Sequence, residues 1–160
     1  MANLRIGLGY DLHRTVAGRP LVLGNVVIPH EKGLDGHSDA DVVIHALIDA
    51  ITGAAGLPDV GQMFPNTDPK WKNADSVELL RQVVARVKAR GFHVVNVDAV
   101  VTAQKPKIMP YADRMKERLA PVLEVGLADV SIKATTMEGL GAIGRSEGIA
   151  VMAVATVEKG

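Results

Sequence analysis

Three side chains in the first third of the sequence are of types that bind a divalent metal. Asp11 and His13 stand two residues apart, and His45 follows in a segment with helical periodicity. If residues 4–13 form a strand, Asp11 and His13 point to the same face, because side chains alternate along a strand. One carboxylate and two imidazoles that meet across a strand and a helix suit zinc first. The alternative is that they are ordinary polar residues of a sheet edge and a capped helix.

The segment that carries His45 predicts a central helix. Ser38 is a suitable N-cap, and Asp41 three residues later resembles a capping box with Asp in the Glu position. Apolar residues recur at helical spacing until two glycines and a proline end the pattern near residue 56. Asp41, His45 and Asp49 recur every four residues, so they form one polar stripe on an otherwise apolar helix.

The elements that must position these residues follow from periodicity and turn signals. Gly24-Asn25 is suited to a two-residue hairpin turn, and the long segment 57–73 predicts a loop that is either functional or simply solvated. Further loops are predicted over 14–19 and 30–37, and further helices over 75–90 and 110–125. Alternating or continuous apolar residues predict strands over 4–13, 21–23, 26–28, 92–104, 130–136 and 149–157.

This order predicts a single α+β domain over residues 1–160, a mixed sheet with helices packed on one face. The last strand is apolar on both faces over residues 149–155, which is typical of a strand covered on both sides. Three helices in one layer can cover only one side of the sheet. We therefore expect neighbouring copies to cover the other side in a cyclic homo-oligomer. The alternative is a helix of the same chain that crosses that face.

Composition excludes several function classes. The 160 residues carry a formal net charge of zero, so no global field favours nucleic acid or anionic membrane as a partner. Aromatic residues make up only 3%, too few for base-stacking platforms. The sequence shows neither a targeting segment nor an apolar run that could span a bilayer, so a cytoplasmic location is expected. Cysteine is absent, so any metal must be held by histidine and carboxylate.

Two further stretches carry groups suited to phosphates. The turn over residues 134–138 follows a strand, where small hydroxyl groups and free N–H groups can hold phosphate oxygens. Glu138 could ligate Mg²⁺, and Lys105-Pro106-Lys107 could add positive charge. Arg145 could pair with an anion or with Glu147 in a symmetric interface. Each feature also has an ordinary explanation, since Thr pairs favour strands and Lys-Pro-Lys turns are usually only exposed.

Six motifs occur in order over nearly the whole chain. They are Asp11-x-His13, His37-Ser38-Asp39-Ala40-Asp41-x3-His45, Phe64-Pro65-Asn66-Thr67-Asp68, Ala103-Gln104-Lys105-Pro106-Lys107, Lys133-Ala134-Thr135-Thr136-Met137-Glu138 and Gly144-Arg145-Ser146-Glu147-Gly148. Together they resemble the 2-C-methyl-D-erythritol 2,4-cyclodiphosphate synthase family. Six blocks in register are far more specific than any one of them.

The resemblance implies a homotrimeric, metal-dependent lyase of the non-mevalonate isoprenoid pathway, with active sites between adjacent subunits. The implied substrate is a cytidine diphosphate ester of methylerythritol 2-phosphate. Its 2-phosphate attacks the β-phosphorus, CMP leaves, and the cyclic diphosphate remains. The implied zinc ligands are Asp11, His13 and His45, and Mg²⁺ or Mn²⁺ on Glu138 would bridge the α- and β-phosphates.

The family pattern also implies roles for individual residues. His37 and Thr136 would stabilise the transition state, and residues 59–61 would hold the methylerythritol hydroxyls. Asp41 and Asp49 are expected to stand behind the zinc ligands; Asp49 would accept the second N–H of His45 and fix its tautomer. The implied substrate contacts are Asp11, His13, His37, Ser38, Asp59, Val60, Gly61, Phe64, Pro65, Asn66, Thr67, Asp68, Ala103, Gln104, Lys105, Pro106, Lys107, Ile108, Met109, Ala134, Thr135, Thr136, Met137, Glu138, Ala142 and Arg145.

The sequence departs from the usual family pattern at four positions, none of them a zinc ligand. Asn66 stands where Asp is usual, Met137 where a third Thr is common, Ala142 where an aromatic is common, and Ser146 where Gly is common. Ala142 lies where the family lines an apolar channel on the three-fold axis. Two rival functions remain open: a metal-dependent phosphoesterase that uses water, and a non-enzymatic trimeric binding protein with a structural zinc. An open ligand position on the metal would separate a catalytic from a structural site.

Overall fold

A five-stranded mixed sheet forms the framework of the computed structural model, which describes residues 3–160. The sheet order is β4-β1-β7-β5-β6; β5 and β6 are parallel, and the other pairs are antiparallel. A separate hairpin joins β2 and β3. The strands are β1 (Leu4–Ala17), β2 (Leu21–Leu23), β3 (Val26–Ile28), β4 (Lys32–Leu34), β5 (Phe92–Thr102), β6 (Val130–Thr135) and β7 (Gly148–Lys159).

The longer helices pack on one face of this sheet, as the α+β prediction expected. Among residues 3–160, no helix combines the length and apolar character that crossing a membrane requires. Three 3₁₀ turns connect other elements, at Pro69–Trp71, Met109–Tyr111 and Leu127–Asp129. The α-helices are α1 (Val42–Ala55), α2 (Val60–Met63), α3 (Ser76–Ala89), α4 (Ala112–Leu123) and α5 (Gly141–Gly144).

Three segments that the sequence predicts as loops contain regular structure. β1 continues to Ala17 because residues 15–17 pair with residues 32–34, which makes β4 out of the second predicted loop. α2 and a 3₁₀ turn lie in the segment 57–73. A register shift between Val94 and Asn96 changes which side chains of β5 are buried, so that Val94 and Val97 are buried and Val95 is only partly buried. These short elements depend on tertiary pairing and leave little local signal.

Asp41, and not Ser38, is the N-cap of α1. Its carboxylate accepts the N–H of Ile44 at 3.1 Å and, from the hairpin turn, those of Gly24 at 2.9 Å and Asn25 at 2.8 Å. The Ser38 prediction is wrong because Ala40 has a φ of +59°, so the helix cannot extend back past it. Asp41 therefore joins the hairpin to α1, and it does not support the metal ligands as expected.

Asp41→Ala is expected to lower the free energy of unfolding by about 3 kcal/mol, because it leaves buried N–H groups without an acceptor. Urea unfolding at a fixed protein concentration measures the loss. The matched control is Asp75→Ala, which removes an exposed cap that accepts only the N–H of Val77 and should cost about 1 kcal/mol. Equal losses in the two variants would contradict this role for Asp41.

Close contact between α1 and β1 sets the position of His45. A Cβ on Gly9 would lie 2.0 Å from the carbonyl oxygen of Ala46, and one on Gly7 would lie 1.9 Å from that of Ala50. Only glycine permits this approach. His45, the residue before Ala46, therefore lies close to Asp11, which is two residues beyond Gly9 on the strand.

The opposite face of the sheet is apolar and exposed. β7 buries Val151, Ala153, Ala155 and Val157 beneath the helices, which confirms that the last strand is apolar on both sides. Within residues 3–160 no helix crosses the other face, so the alternative of internal cover is wrong. We call this surface the open sheet face; its exposed apolar residues are Leu4, Ile6, Leu8, Tyr10, Leu12, Met152 and Val154.

Candidate active site

Asp11, His13 and His45 converge at the end of β1 that faces α1. Asp11 Oδ2 lies 2.8 Å from His13 Nε2 and 3.1 Å from His45 Nδ1, and the two nitrogens are 3.2 Å apart. Strand alternation directs Asp11 and His13 to the helix-covered face, and α1 supplies His45 from above. The predicted convergence is confirmed, and the three groups together could hold a metal ion.

The geometry of this cluster fits zinc. Zinc bonds of 2.0–2.1 Å at tetrahedral angles place ligand atoms about 3.3 Å apart, close to the separations of these three atoms. Two nitrogens and one oxygen are a donor set that zinc accepts. The same three side chains line a cavity of about 190 Å³, so a metal held by them would be accessible to a further ligand, as catalytic zinc sites require.

The electrostatics of the cluster favour a charged carboxylate beside imidazoles. Burial raises the pKa of Asp11, but hydrogen bonds from His13 and His45 outweigh it and hold that pKa below its ordinary value. Burial lowers the pKa of His13, but Asp11 outweighs that effect and raises it. His13 Nδ1 lies 2.5 Å from the carbonyl oxygen of Asp35 and donates to it, which leaves Nε2 for the metal.

The second nitrogen of His45 contacts two serines. Its Nε2 lies 3.0 Å from Ser76 Oγ and 3.2 Å from Ser38 Oγ. Asp49 instead accepts the N–H of Val60 at 2.8 Å, so its predicted contact with His45 is wrong. The reason is that helical side chains lean toward the helix N-terminus, which directs the imidazole away from a residue one turn later. Burial raises the pKa of Asp49.

The cavity over the cluster is lined by half of the predicted substrate-loop residues, four of the eight in 59–61 and 64–68. His37 Nε2 is buried there without a hydrogen-bond partner among the described residues. Asp59 and Asp68 point elsewhere, because each caps a short helical turn. Of the predicted contacts, the lining residues are Asp11, His13, His37, Ser38, Val60, Gly61, Phe64 and Asn66, whereas Asp59, Pro65, Thr67 and Asp68 do not line it.

Three residues of this lining, Gly36, Trp71 and Leu79, were not predicted from the sequence. Trp71 packs edge-on against Phe64, with ring centroids 4.9 Å apart, and closes one side of the cavity. It is the only tryptophan in the chain. A single large aromatic residue within a predicted loop was the feature of the sequence that could have indicated its place in the site.

A second cavity of about 210 Å³ brings together the two stretches predicted to hold the nucleotide. Glu138 lies just beyond the lining, in the left-handed region at φ +51°, with its N–H donating to Thr136 Oγ1 at 3.2 Å. Gln104 Oε1 accepts the N–H of Gly139 at 3.2 Å and so joins the two walls. The lining comprises Ala103, Gln104, Pro106, Lys107, Ile108, Met109, Pro110, Ala134, Thr135 and Thr136; the predicted Lys105, Met137 and Glu138 are outside it.

Ala142 and Arg145 line a third cavity, of about 590 Å³, which also touches Leu12 and His13. Arg145 Nε donates to Glu147 Oε1 at 2.7 Å, so this ion pair forms within one chain. The contact raises the pKa of Arg145 and lowers that of Glu147.

The first two cavities lie at the same end of the sheet and share no lining residue. Asp11 pairs with Val151, which pairs with Val101, which pairs with Ala134. Three strand spacings of about 4.8 Å separate the cluster of Asp11, His13 and His45 from the second cavity by about 15 Å. This cluster, which we call the metal cluster, lies toward the β4 edge, and the second cavity lies at the β6 edge.

Comparison with known proteins decides the family. Residues 4–158 match the YgbB family. The chain belongs to this family. A Symbiobacterium thermophilum relative is 57% identical over 95% of this chain and 97% of its own, and one from Salinibacter ruber is 54% identical over 97% and 99%. Both are named 2-C-methyl-D-erythritol 2,4-cyclodiphosphate synthase, which confirms the resemblance predicted from the six motifs.

Solved structures share the fold of this YgbB family member. The bifunctional IspDF from Campylobacter jejuni matches with a TM-score of 0.96 at 42% identity, covering 100% of this chain and 43% of that one. The Plasmodium falciparum IspF CDP complex matches with a TM-score of 0.85 at 31% identity, covering 98% and 96%. The present chain thus corresponds to one part of the bifunctional protein and to nearly the whole of the Plasmodium falciparum protein.

Proposed function

We propose that the chain converts 4-diphosphocytidyl-2-C-methyl-D-erythritol 2-phosphate to 2-C-methyl-D-erythritol 2,4-cyclodiphosphate and CMP. The observation that carries this proposal is the convergence of Asp11, His13 and His45 beside an open cavity. Relatives above 50% identity bear the name of a synthase of this product, and the substrate follows from the resemblance of the six motifs.

The reaction is an intramolecular phosphoryl transfer. An oxygen of the 2-phosphate forms a bond to the β-phosphorus, the bond between that phosphorus and the bridging oxygen breaks, and CMP leaves with this oxygen. Because the nucleophile is built into the substrate, positioning and charge stabilisation determine the rate. Bound zinc would polarise a β-phosphate oxygen.

Residues of the first cavity would hold the two reacting phosphates. Asp11, His13 and His45 hold the zinc in this proposal. His37 has a buried ring nitrogen without a partner, so it can donate to a phosphate oxygen, and Ser38 lies beside it. Asn66 lines the cavity and retains an acceptor where the family usually has a carboxylate.

The second cavity is suited to the cytidine half of the substrate. Its walls at Pro106, Ile108 and Met109 offer apolar surface to a base, and Thr135 and Thr136 offer hydroxyl groups to phosphates. The similar fold of the Plasmodium falciparum CDP complex supports a nucleotide in a protein of this kind. Thr136 would stabilise the transition state, and Glu138 would ligate Mg²⁺ or Mn²⁺ between the phosphates.

Glu138→Gln is expected to lower turnover about 10- to 100-fold and to weaken its dependence on Mg²⁺, because an amide replaces the only proposed protein ligand of that ion. Zinc content should not change, since Glu138 is not part of the zinc cluster. Titrating Mg²⁺ against CMP release measures the effect. Glu124→Gln is the matched control, because Glu124 is another exposed glutamate at φ +59° and it pairs with Lys88. An unchanged Mg²⁺ titration in Glu138→Gln would refute the assignment.

A ring of three copies would join the first cavity of one copy, with its metal-binding side chains, to the second cavity of the next copy. We call these two cavities the half-sites. The metal cluster and the second cavity lie toward opposite edges of one sheet, so a head-to-tail contact sets the β6 edge of one copy against the metal edge of the next. Such contacts close into rings when the rotation permits. The open sheet face supports the same arrangement, because a contiguous apolar surface favours association.

The test of the proposed function is incubation with the cytidine-linked substrate, followed by phosphorus NMR. Release of CMP together with a cyclic diphosphate is the expected result. CMP with an open-chain diphosphate would instead identify a phosphoesterase that uses water. Binding without turnover would identify a non-enzymatic binding protein.

A further inference from the structure

The Asp39 carboxylate is connected to His45 through the hydroxyl group of Ser76. Ser76, the first residue of α3, is fully buried and places its Oγ 3.0 Å from His45 Nε2. The Ser76 hydroxyl donates to Asp39 Oδ1, and the Ser76 N–H donates to Asp39 Oδ2 at 3.0 Å. One carboxylate therefore accepts both hydrogen-bond donors of Ser76.

The directions of these hydrogen bonds favour one tautomer of His45. A serine hydroxyl has a single proton, and in Ser76 that proton points to Asp39. Ser76 Oγ can then accept from the imidazole but not donate to it, which favours the tautomer of His45 with its proton on Nε2. In that tautomer Nδ1 keeps the lone pair that a metal ion needs, whereas the opposite tautomer would donate from Nδ1 to Asp11 Oδ2 at 3.1 Å.

Backbone contacts hold Asp39 in place. Its N–H donates to the carbonyl of Ala74 at 3.1 Å, and its Oδ1 accepts the N–H of Asp41 at 3.2 Å. The N–H of Asn73 also donates to the carbonyl of His37 at 2.8 Å. The segment before α1 is thus attached to the start of α3, which fixes Asp39 and Ser76 relative to each other.

We propose that Asp39 and Ser76 are positioning residues that select the His45 tautomer able to bind zinc. The proposal rests on the zinc site proposed above. Neither residue lines the first cavity, so both act through His45. Metal-bound histidines usually donate their second N–H to a carboxylate or a carbonyl. His13 does this directly to Asp35, and His45 does it to Asp39 through the Ser76 hydroxyl.

Asp39→Asn tests this relay from Asp39 through Ser76 to His45, because an amide has one acceptor oxygen and cannot accept both donors of Ser76 as the carboxylate does. With the amide NH₂ toward Ser76 Oγ, the hydroxyl accepts from it and turns its own proton to His45 Nε2, which shifts the imidazole proton toward Nδ1. Nitrogen-15 NMR of the metal-free protein should show a larger share of the Nδ1-protonated tautomer than in the wild-type protein, with His45 assigned through His45→Gln. Zinc affinity measured by chelator competition should fall about 10- to 100-fold.

Two further variants separate the relay from a general structural effect. Ser76→Ala should lower zinc affinity similarly, and the double variant should be no weaker than the weaker single variant, because both changes break one relay. Asp75→Asn is the matched control: its carboxylate accepts the N–H of Val77 at 2.9 Å and makes no hydrogen bond to His45. It should keep the wild-type tautomer and affinity. Circular dichroism checks that each variant is folded.

The outcomes distinguish the relay from the zinc site. A wild-type tautomer and a zinc affinity within about threefold of wild type in both Asp39→Asn and Ser76→Ala would overturn the relay, given the 10- to 100-fold expectation. If the wild-type protein binds no zinc, the zinc site is overturned. The tautomer measurement is made without metal, so it then decides the relay by itself.

Discussion

His45→Ala is expected to lose zinc and to slow CMP release at least about 1,000-fold, which corresponds to about 4 kcal/mol of transition-state stabilisation. The imidazole supplies one of three ligand atoms, and the remaining carboxylate and imidazole cannot hold the ion with comparable affinity. Elemental analysis measures zinc content, and phosphorus NMR measures turnover.

The fold should survive this substitution. α1 is held by apolar residues on the helix surface that packs on the sheet, whereas the hydrogen bonds of His45 are to polar groups of the site. His93→Ala is the matched control, since His93 is half exposed on β5 and pairs only with Glu158 at 3.7 Å. Full zinc stoichiometry in purified His45→Ala would remove His45 from the ligand set.

Leu8→Glu should convert a trimer to monomers and lower activity at least about 100-fold. Leu8 is 63% exposed in the single chain, at the centre of the open sheet face, so a glutamate there does not disturb the monomer. If copies cover this face, the carboxylate is buried without a partner, which costs several kcal/mol for each subunit. Activity would fall with assembly because, in the proposed ring, the two half-sites come from different copies.

Sedimentation velocity at micromolar concentration, with activity on the same samples, measures both effects. Leu127→Glu is the control, because Leu127 is 51% exposed on a 3₁₀ turn away from the open sheet face. Leu127→Glu should remain trimeric and active. A wild-type protein that sediments as a monomer, or a trimeric Leu8→Glu, would show that this face is not the interface.

The candidate metal ligands were predictable because local periodicity orients them. Alternation along β1 puts Asp11 and His13 on one side, and helical spacing separates His45 from the apolar residues that pack α1 on the sheet. The hairpin around Gly24-Asn25 was predictable for a similar reason, since both residues adopt the positive φ that this turn requires. Each of these signals lies within one element.

Contacts between distant segments were decided only by the tertiary structure. β4 exists because residues 32–34 find a partner in residues 15–17, and no periodicity within three residues can show that. The helical stripe suggested Asp49 as the partner of His45, yet the lean of the side chain and the packing of α3 select Ser76 and Asp39. The sequence by itself therefore determined which side chains form the candidate metal site, and the fold decided which groups hold them in place. The reason is that periodicity orients a residue within its own element, whereas only packing sets one element against another.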